Sequence, residues 1–336
     1  MPPHSSFELL VVVLGLGLAF EFVNGFHDAA NAIATVVATR VLRPPVAVAM
    51  AGVLNFVGAV TGTAVAATVG KGLVDPHAIT QATVASGLIA AILWDLTTWY
   101  AGLPTSSSHA LVFGVLGAGV ATAGFRAVVL GGVQKVGVGI VYSPLVALAA
   151  ASAGLVLLYW LVYRQPPARI TKAFGRLQLF SSMYMAFSHG GNDGQKTMGI
   201  MALALFTYGA LGATFYVPLW VMLAAALAMG LGTAAGGWRI VRTMGFRLTK
   251  LQPIDGFAAE TAAATTIEIA TRFGVPISTT HAINGAILGI GASKGVRWVR
   301  WGVAWNIVLA WVLTLPVSFA LGWALMRAAT AVGLGR

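Results

Sequence analysis

Cysteine is absent from this chain of 336 residues, and charge is scarce, with nine acidic and twenty basic side chains making up 9% of it. The first absence excludes disulfides and thiolate metal sites and leaves the redox compartment open. There is no HExxH pair, which removes the usual zinc-hydrolase arrangement. Gly70-Lys71-Gly72 lacks the spacing and the following Ser or Thr of a P-loop, so nothing points to an ATPase. No separate soluble domain is visible.

What is present is apolar. Hydrophobic residues make up 58% of the chain, and the mean hydropathy is +0.86, values that belong to polytopic membrane proteins rather than soluble domains. Long apolar runs lie near 7–22, 44–69, 78–100, 137–163, 198–235 and 302–326. At ~20 residues per crossing they predict an all-α bundle of roughly ten to twelve passes, with broken or re-entrant segments where polar motifs interrupt them. The first run lacks a basic start and continues directly into a motif, so it reads as part of the fold rather than a signal peptide. A net charge of +11 would suggest nucleic acid in a soluble chain. Here the basic residues fall between apolar runs, at Arg40 and Arg43, Arg164 to Arg176, Arg239 to Lys250 and Lys294 to Arg300, where they report topology, the first three clusters cytoplasmic. A nucleic-acid partner is therefore not expected. The composition fits a multi-pass protein of a bacterial inner (cytoplasmic) membrane in contact with the lipid bilayer; a homodimer is left open.

Two phrases recur. Phe22 to Asn31 reads FVNGFHDAAN and Phe187 to Lys196 reads FSHGGNDGQK; Pro104 to His109 reads PTSSSH and Pro276 to His281 reads PISTTH. The offsets are 165 residues for Asp28 and Asp193 and 172 for the two prolines, so order and spacing are both kept. The chain is a duplication, read as a first transmembrane repeat over 1–163, a basic cytoplasmic linker over 164–178 and a second repeat over 179–336. Basic residues follow the first Asp motif at Arg40 and Arg43, but follow the second only at Arg239, which predicts opposite orientations of the halves. Inverted repeats with polar breaks at matching places point to a carrier with its site near the bilayer midplane.

The Pro-led runs predict helix starts, where hydroxyls stand beside N–H groups without helical partners and can cradle an anion. Ser106, Ser107 and Ser108 from one half and Ser278, Thr279 and Thr280 from the other are the candidates; the alternative is that they only cap or back-bond their helices. Asp28 and Asp193 lie among Gly and Asn residues that permit unwound backbone, where carboxylate, amide and carbonyl oxygens could hold sodium or the carboxylates could take a proton. The alternative is an aspartate satisfied by backbone N–H groups. His27, His109, His189 and His281 read as orienting residues, with proton relay as the other reading and no metal site expected. Glu260 is a further candidate for the site or a proton path, whereas Glu21, Asp95 and Glu268 read as interhelical hydrogen-bonding groups. The ten tryptophans read as interface anchors.

The segments NGFHDAANAIATV, GLPTSSSHALVFG, SHGGNDGQKTMGI and GVPISTTHAINGAILG together resemble the inorganic phosphate transporter (PiT) family of secondary carriers over essentially the whole chain. The resemblance implies symport of inorganic phosphate with sodium or protons, with no resident cofactor and no enzymatic activity. It assigns Asn24, Asp28, Asn31, Ser106, Ser107 and Ser108 to the site from the first half, and Asn192, Asp193, Gln195, Ser278, Thr279, Thr280 and Glu260 from the second. One position departs from the sodium-coupled pattern, in which Asp-x-x-Asn occurs in both halves: Lys196 stands where Asn31 does. An ammonium one turn from Asp193 can replace a bound cation, so proton coupling is expected, and a metal–phosphate complex is a possible cargo among the bacterial relatives implied. An anion channel, a sulfate carrier and a membrane enzyme acting on phosphorylated lipid are the competing classes. The enzyme lacks a third member beside its Ser and His.

Overall fold

A computed structural model describes residues 6–334. Twelve α-helices follow one another in two sets of six. The first set is α1 (Phe7–Ala38), α2 (Pro44–Ala59), α3 (Ala64–Gly72), α4 (Gln81–Ala101), α5 (Ser107–Ala123) and α6 (Leu130–Val162). The second is α7 (Pro167–Tyr208), α8 (Leu219–Ala235), α9 (Trp238–Arg242, continued by a π-turn to Arg247), α10 (Pro253–Arg272), α11 (Thr279–Lys294) and α12 (Trp301–Ala331). Among the described residues β-pairing is limited to one isolated bridge, Val74 to Val128. The all-α, polytopic class expected from composition is what the chain forms.

Five helices, α1, α4, α5, α6 and α12, are long and apolar enough to cross a membrane. The pairs α2–α3, bent by 71°, and α8–α9, bent by 57°, raise the number to seven. The remaining helices α7, α10 and α11 carry the polar motif residues, and α11 has only 16 residues; with them the twelve helices match the ten to twelve helical segments, broken ones included, that were expected. The basic stretch 164–178 is largely helical. From Pro167 onward it forms the first turns of the 42-residue α7, with Pro at the helix start where its missing N–H costs nothing.

The two sets pack alike. Helix α1 lies on α8 as α7 lies on α2, α5 on α12 as α11 on α6, and α4 on α12 as α10 on α6. Pro144 inside α6 and Pro316 inside α12 stand 172 residues apart, the offset of the two hydroxyl motifs. Glycine makes the closest of these approaches possible. A Cβ on Gly232 would lie 2.2 Å from the Phe22 carbonyl oxygen, and one on Gly58 would lie 2.0 Å from that of Phe187, so the opening residue of each Asp motif meets backbone of the other half.

One expectation is overturned here. The Asp motifs do not break their helices, since α1 runs unbroken through 22–31 and α7 through 187–196. The glycines beside the aspartates serve close helix packing, not unwinding: a Cβ on Gly25 would meet the Met229 carbonyl oxygen at 2.5 Å, and one on Gly190 that of Asn55 at 2.1 Å. The breaks fall instead at the hydroxyl motifs. Helices α4 and α10 both end in glycines of positive φ, Gly102 (68°) and Gly274 (64°). The same paired bonds close both ends, Leu103 N–H to Thr98 O at 2.9 Å and Val275 N–H to Ala270 O at 2.9 Å.

Polarity is inverted relative to a soluble protein. The outer surface carries large apolar side chains such as Leu157, Trp160, Leu161, Trp305 and Leu309, while six of the nine acidic residues, Glu21, Asp28, Asp95, Asp193, Asp255 and Glu260, are buried. Lys196 is the one buried Lys or Arg among the described residues.

Candidate functional site

The helical hairpins α4–α5 and α10–α11 bring their turns, the two hydroxyl motifs, against the middle of α1 and α7. Ser106 is the N-cap of α5 and accepts from His109 N–H at 3.3 Å; Ser278 caps α11 and accepts from His281 N–H at 3.1 Å. For these two residues the capping reading therefore holds. Pro104 and Pro276 lie two residues ahead of the caps, outside the helices, rather than in the first turn as expected. Of the next two residues of each motif, Ser108, Thr279 and Thr280 reach the aspartates and Ser107 meets His27. Their backbone N–H groups precede the first i→i−4 bonds, which run from Ala110 to Ser106 O and from Ala282 to Ser278 O, so the helix leaves them without a partner.

The aspartates meet hydroxyls from both hairpins. Asp193 accepts from Thr279 at 2.7 Å and from Ser108 at 3.4 Å. Asp28 accepts from Thr280 at 3.3 Å. Asn31, one turn further along α1, donates to Thr279 at 3.2 Å and Thr280 at 2.9 Å. Side-chain hydroxyls, not backbone N–H groups, thus satisfy these carboxylates.

Lys196 uses all three of its donors, on Asp193 Oδ1 at 2.5 Å, Ser108 Oγ at 2.6 Å and the Ile277 carbonyl at 2.6 Å. One ammonium therefore ties α7 to both hairpin tips. Burying such a charge is tolerable only with this degree of pairing.

The histidines divide by position. His27 places Nδ1 2.7 Å from Asp28 Oδ1 and 3.4 Å from Ser107 Oγ, and Nε2 3.0 Å from Thr98 Oγ1, which makes it an orienting residue. His189 sits between Asn55, at 3.0 Å, and Asp193, at 3.2 Å. Sequence reasoning missed that Asp28, His189 and Asp193 can offer one ligand atom each within 4.8 Å of one another, a set able to hold a cation. The i,i+4 spacing of His189 and Asp193 was the available signal; the third member comes from the other half of the chain.

Other candidates fall outside this centre. The Gln195 side chain accepts from Val65 N–H at 2.9 Å and so caps α3, which removes it from the anion-facing set. Asn192 donates to Thr271 at 2.8 Å, and Asn24 to Glu21 at 3.4 Å. Glu260 is buried two helical turns from Asp28 along α1, held by Thr35 at 2.5 Å, Gln178 at 3.1 Å and Ser181. Glu21 bonds Thr197 across α1 and α7 as an interhelical group. Asp95 is buried on α4 beside Ser107 of α5, and Glu268 pairs with Arg272 of its own helix at 3.1 Å. Glu268 therefore does not form the interhelical bond expected of it.

The tryptophan assignment also needs correcting for Trp311. Its indole N–H donates to the Pro104 carbonyl at 2.9 Å and its ring stacks on His281 at 3.9 Å, while His281 meets His109 edge to face at 4.7 Å. Trp311 thus braces both hairpin tips from α12. Trp94 likewise bonds Thr314 at 2.9 Å inside the bundle, whereas Trp160, Trp220, Trp301 and Trp305 are exposed, as anchors would be.

A helical bundle with an apolar exterior, a duplicated contact pattern and a buried polar centre built from both halves defines a multi-pass membrane transporter. Residues 24–322 match the phosphate transporter family, and the chain belongs to that family. It is 48% identical to a "Probable low-affinity inorganic phosphate transporter" of Rhizobium meliloti (strain 1021), over 93% of this chain and 94% of that protein. A protein of the same description in Bacillus subtilis (strain 168) is 43% identical, over 94% of this chain and 95% of its own length. Among solved structures, "The sodium-dependent phosphate transporter" superposes with a TM-score of 0.89 at 25% identity, covering 97% of this chain and all of that one. These relatives are named as transporters, not enzymes.

Proposed function

We propose that this chain carries inorganic phosphate across the cytoplasmic membrane by symport with a proton, the two halves acting as inverted repeats that rock about the shared centre. The observation that carries the proposal is the convergence of Ser107, Ser108, Thr279 and Thr280, with the unpaired N–H groups of two helix starts, beside Asp28 and Asp193. Neutral donors at two positive helix ends suit a tetrahedral oxyanion. Carboxylates beside an oxyanion repel it unless protons or cations intervene. Phosphate carries a proton at neutral pH where sulfate does not, which favours phosphate as the cargo.

Coupling to protons is supported by Lys196, which already supplies positive charge to Asp193, and by the positions of the other carboxylates. Glu21, Asp28 and Thr35 share one stripe of α1 at intervals of seven residues, and Thr35 donates to Glu260. Three buried carboxylates therefore lie along the long axis of α1, a spacing that suits proton entry to and release from the centre. A sodium-coupled reading is favoured by the cation-competent set Asp28, His189 and Asp193 and by the sodium dependence in the name of the structural relative.

Phosphate uptake into proteoliposomes, with proton and sodium gradients imposed separately, tests all of this. Accumulation driven by an inward proton gradient without sodium is the expected result. Strong sodium stimulation of uptake overturns proton coupling in favour of the second reading, and equilibration without accumulation under either gradient would indicate a channel.

A further inference from the structure

We propose that Asp95 on α4 holds the proton carried with phosphate, and that it acts on the bound anion through Ser107. The inference rests on the proton-symport reading above and names the residue that couples the two ligands. Asp95 is fully buried, and its two oxygens lie beside a single side-chain donor, the Ser107 hydroxyl, which closes a full hydrogen bond to neither. A buried carboxylate with so little support needs a cation or a proton for its charge. The cations of the centre are engaged elsewhere, because Lys196 has its three donors on Asp193, Ser108 and Ile277 and His27 lies on Asp28. The fold itself does not require an acid here. At the offset of 172 residues that relates the hydroxyl motifs, Asp95 corresponds to Ile267 on α10 and Ser107 to Thr279. The second hairpin packs on α6 as the first packs on α12, with that isoleucine buried in the place of the carboxylate.

Ser107 has one proton to give and two takers. Nδ1 of His27 lies 3.4 Å from Ser107 Oγ but 2.7 Å from Asp28 Oδ1, and the shorter contact commits the Nδ1 proton to Asp28, so His27 does not accept from Ser107. The takers are the Asp95 carboxylate and an oxygen of phosphate at the centre. While Asp95 is ionised it draws the Ser107 proton to itself, and an arriving anion meets the lone pairs of Ser107 with a negative charge behind them. When a proton binds Asp95, the new O–H donates to Ser107 Oγ, and Ser107 turns its own proton to phosphate. Each ligand therefore strengthens the binding of the other, and both leave together. The remaining titratable groups around α4 are occupied. His27 and Asp28 of α1 pair with each other, as do His189, Asp193 and Lys196 of α7. His109 of α5 turns to His281, Arg239 of α9 bonds the Tyr100 carbonyl at the end of α4, and α12 has no titratable side chain before Arg327.

The test is isothermal titration of the full chain with phosphate over a pH series, beside uptake and exchange of labelled phosphate in proteoliposomes. Raising the pH removes the proton from Asp95, so the parent's affinity is expected to fall with pH more steeply than that of Asp95→Asn, by up to about tenfold per pH unit, the limit for one linked proton. The ionisation of phosphate itself is common to parent and variant and cancels in the comparison. The amide of Asp95→Asn keeps a donor toward Ser107 at every pH, so this variant is expected to exchange phosphate across the membrane but not to accumulate it on a proton gradient. Ser107→Ala cuts the link and leaves Asp95 in place, and is expected to lose the same part of the pH dependence. Asp95→Ile, the residue of the matching position in the second half, takes the place of the Asn variant should that one not fold. Accumulation by the Asp95 variant with the parent's dependence on the proton gradient, or a parental pH dependence of binding in either single variant, overturns the proposal. So does a folded Asp95→Asn that cannot exchange phosphate, because the amide reproduces the donor of the protonated acid. A parent that does not accumulate phosphate on a proton gradient overturns the symport reading instead, so the two failures are told apart.

Discussion

Asp28 and Asp193 hold equivalent places in the two halves of the chain, yet one faces imidazole and amide and the other faces an ammonium. Asp28 has His27 beside it and Asn31 one turn on, whereas Asp193 has His189 one turn before it and Lys196 one turn after. Asp28 is reached by Thr280 of the second hairpin, and Asp193 by Ser108, which holds the matching place in the first. The two halves thus keep the frame and the reach of the donors while the charge differs. The second half neutralises its carboxylate internally, and the first leaves its carboxylate to be balanced by whatever enters the site.

The largest effects should come from breaking that difference. Lys196→Met leaves Asp193 buried without its ammonium, a loss expected to cost about 3–5 kcal/mol of stability and to abolish phosphate accumulation. The double variant Asp193→Asn/Lys196→Met should recover most of the stability and none of the transport. Asp28→Asn should also abolish accumulation, but with a thermal midpoint near the parent's, since no buried ammonium is orphaned. Thermal unfolding and uptake measured side by side on the four proteins check the comparison. A Lys196→Met variant as stable as Asp28→Asn would mean that the two halves do not differ in the way their contacts indicate.

A second contrast lies within each hydroxyl motif. Thr279→Val removes a donor that faces Asp193 and the anion, and should weaken phosphate binding by about 1.5–3 kcal/mol. Ser278→Ala removes a helix cap and should cost about 0.5–2 kcal/mol of stability, with phosphate affinity close to the parent's. Binding by isothermal titration and unfolding midpoints separate the two. Equal losses of affinity would show that the cap and the facing hydroxyls act as one unit.

The class of fold, the duplication and the residues that meet at the centre were legible in the sequence because burying polar groups in an apolar chain is costly, and the costly groups were few and repeated. What they do locally was less legible. Glycine beside Asp28 and Asp193 suggested unwinding, but the same absence of a Cβ also permits helix backbones to touch, and the sequence does not say which use prevails. Gln195 was a site residue by the family resemblance, yet on a helix its spacing of two from Asp193 turns it about 200° away, onto α3. Gln178 and Ser181 hold Glu260 from the start of α7, a stretch whose basic composition read as a linker and its edge. Trp311 gave no local sign at all, lying in an ordinary apolar run whose neighbours in space come from elsewhere in the chain.

The smallest predicted effect concerns a position where the packing of the halves departs from symmetry. At the offset of 172 residues that relates Pro144 to Pro316, Trp311 on α12 corresponds to Gly139 on α6. Trp311 reaches across to the first hairpin and stacks on the second. At Gly139 a Cβ would already lie 3.1 Å from both the Pro276 carbonyl oxygen and Ile277 Cγ2, so the second hairpin tip packs directly on the α6 backbone and no brace is needed there. Trp311→Phe keeps an aromatic ring over His281 and loses only the hydrogen bond to the Pro104 carbonyl, an expected cost of about 0.5–1.5 kcal/mol. That loss should appear as a small drop in thermal midpoint and a modest rise in the phosphate KM, with the dependence on the driving gradient unchanged. Trp311→Ala removes the stack as well and should cost about 3–5 kcal/mol. If the Phe variant is already as impaired as the Ala variant, the single bond to the Pro104 carbonyl, and not the ring, is what holds the first hairpin in register with the second.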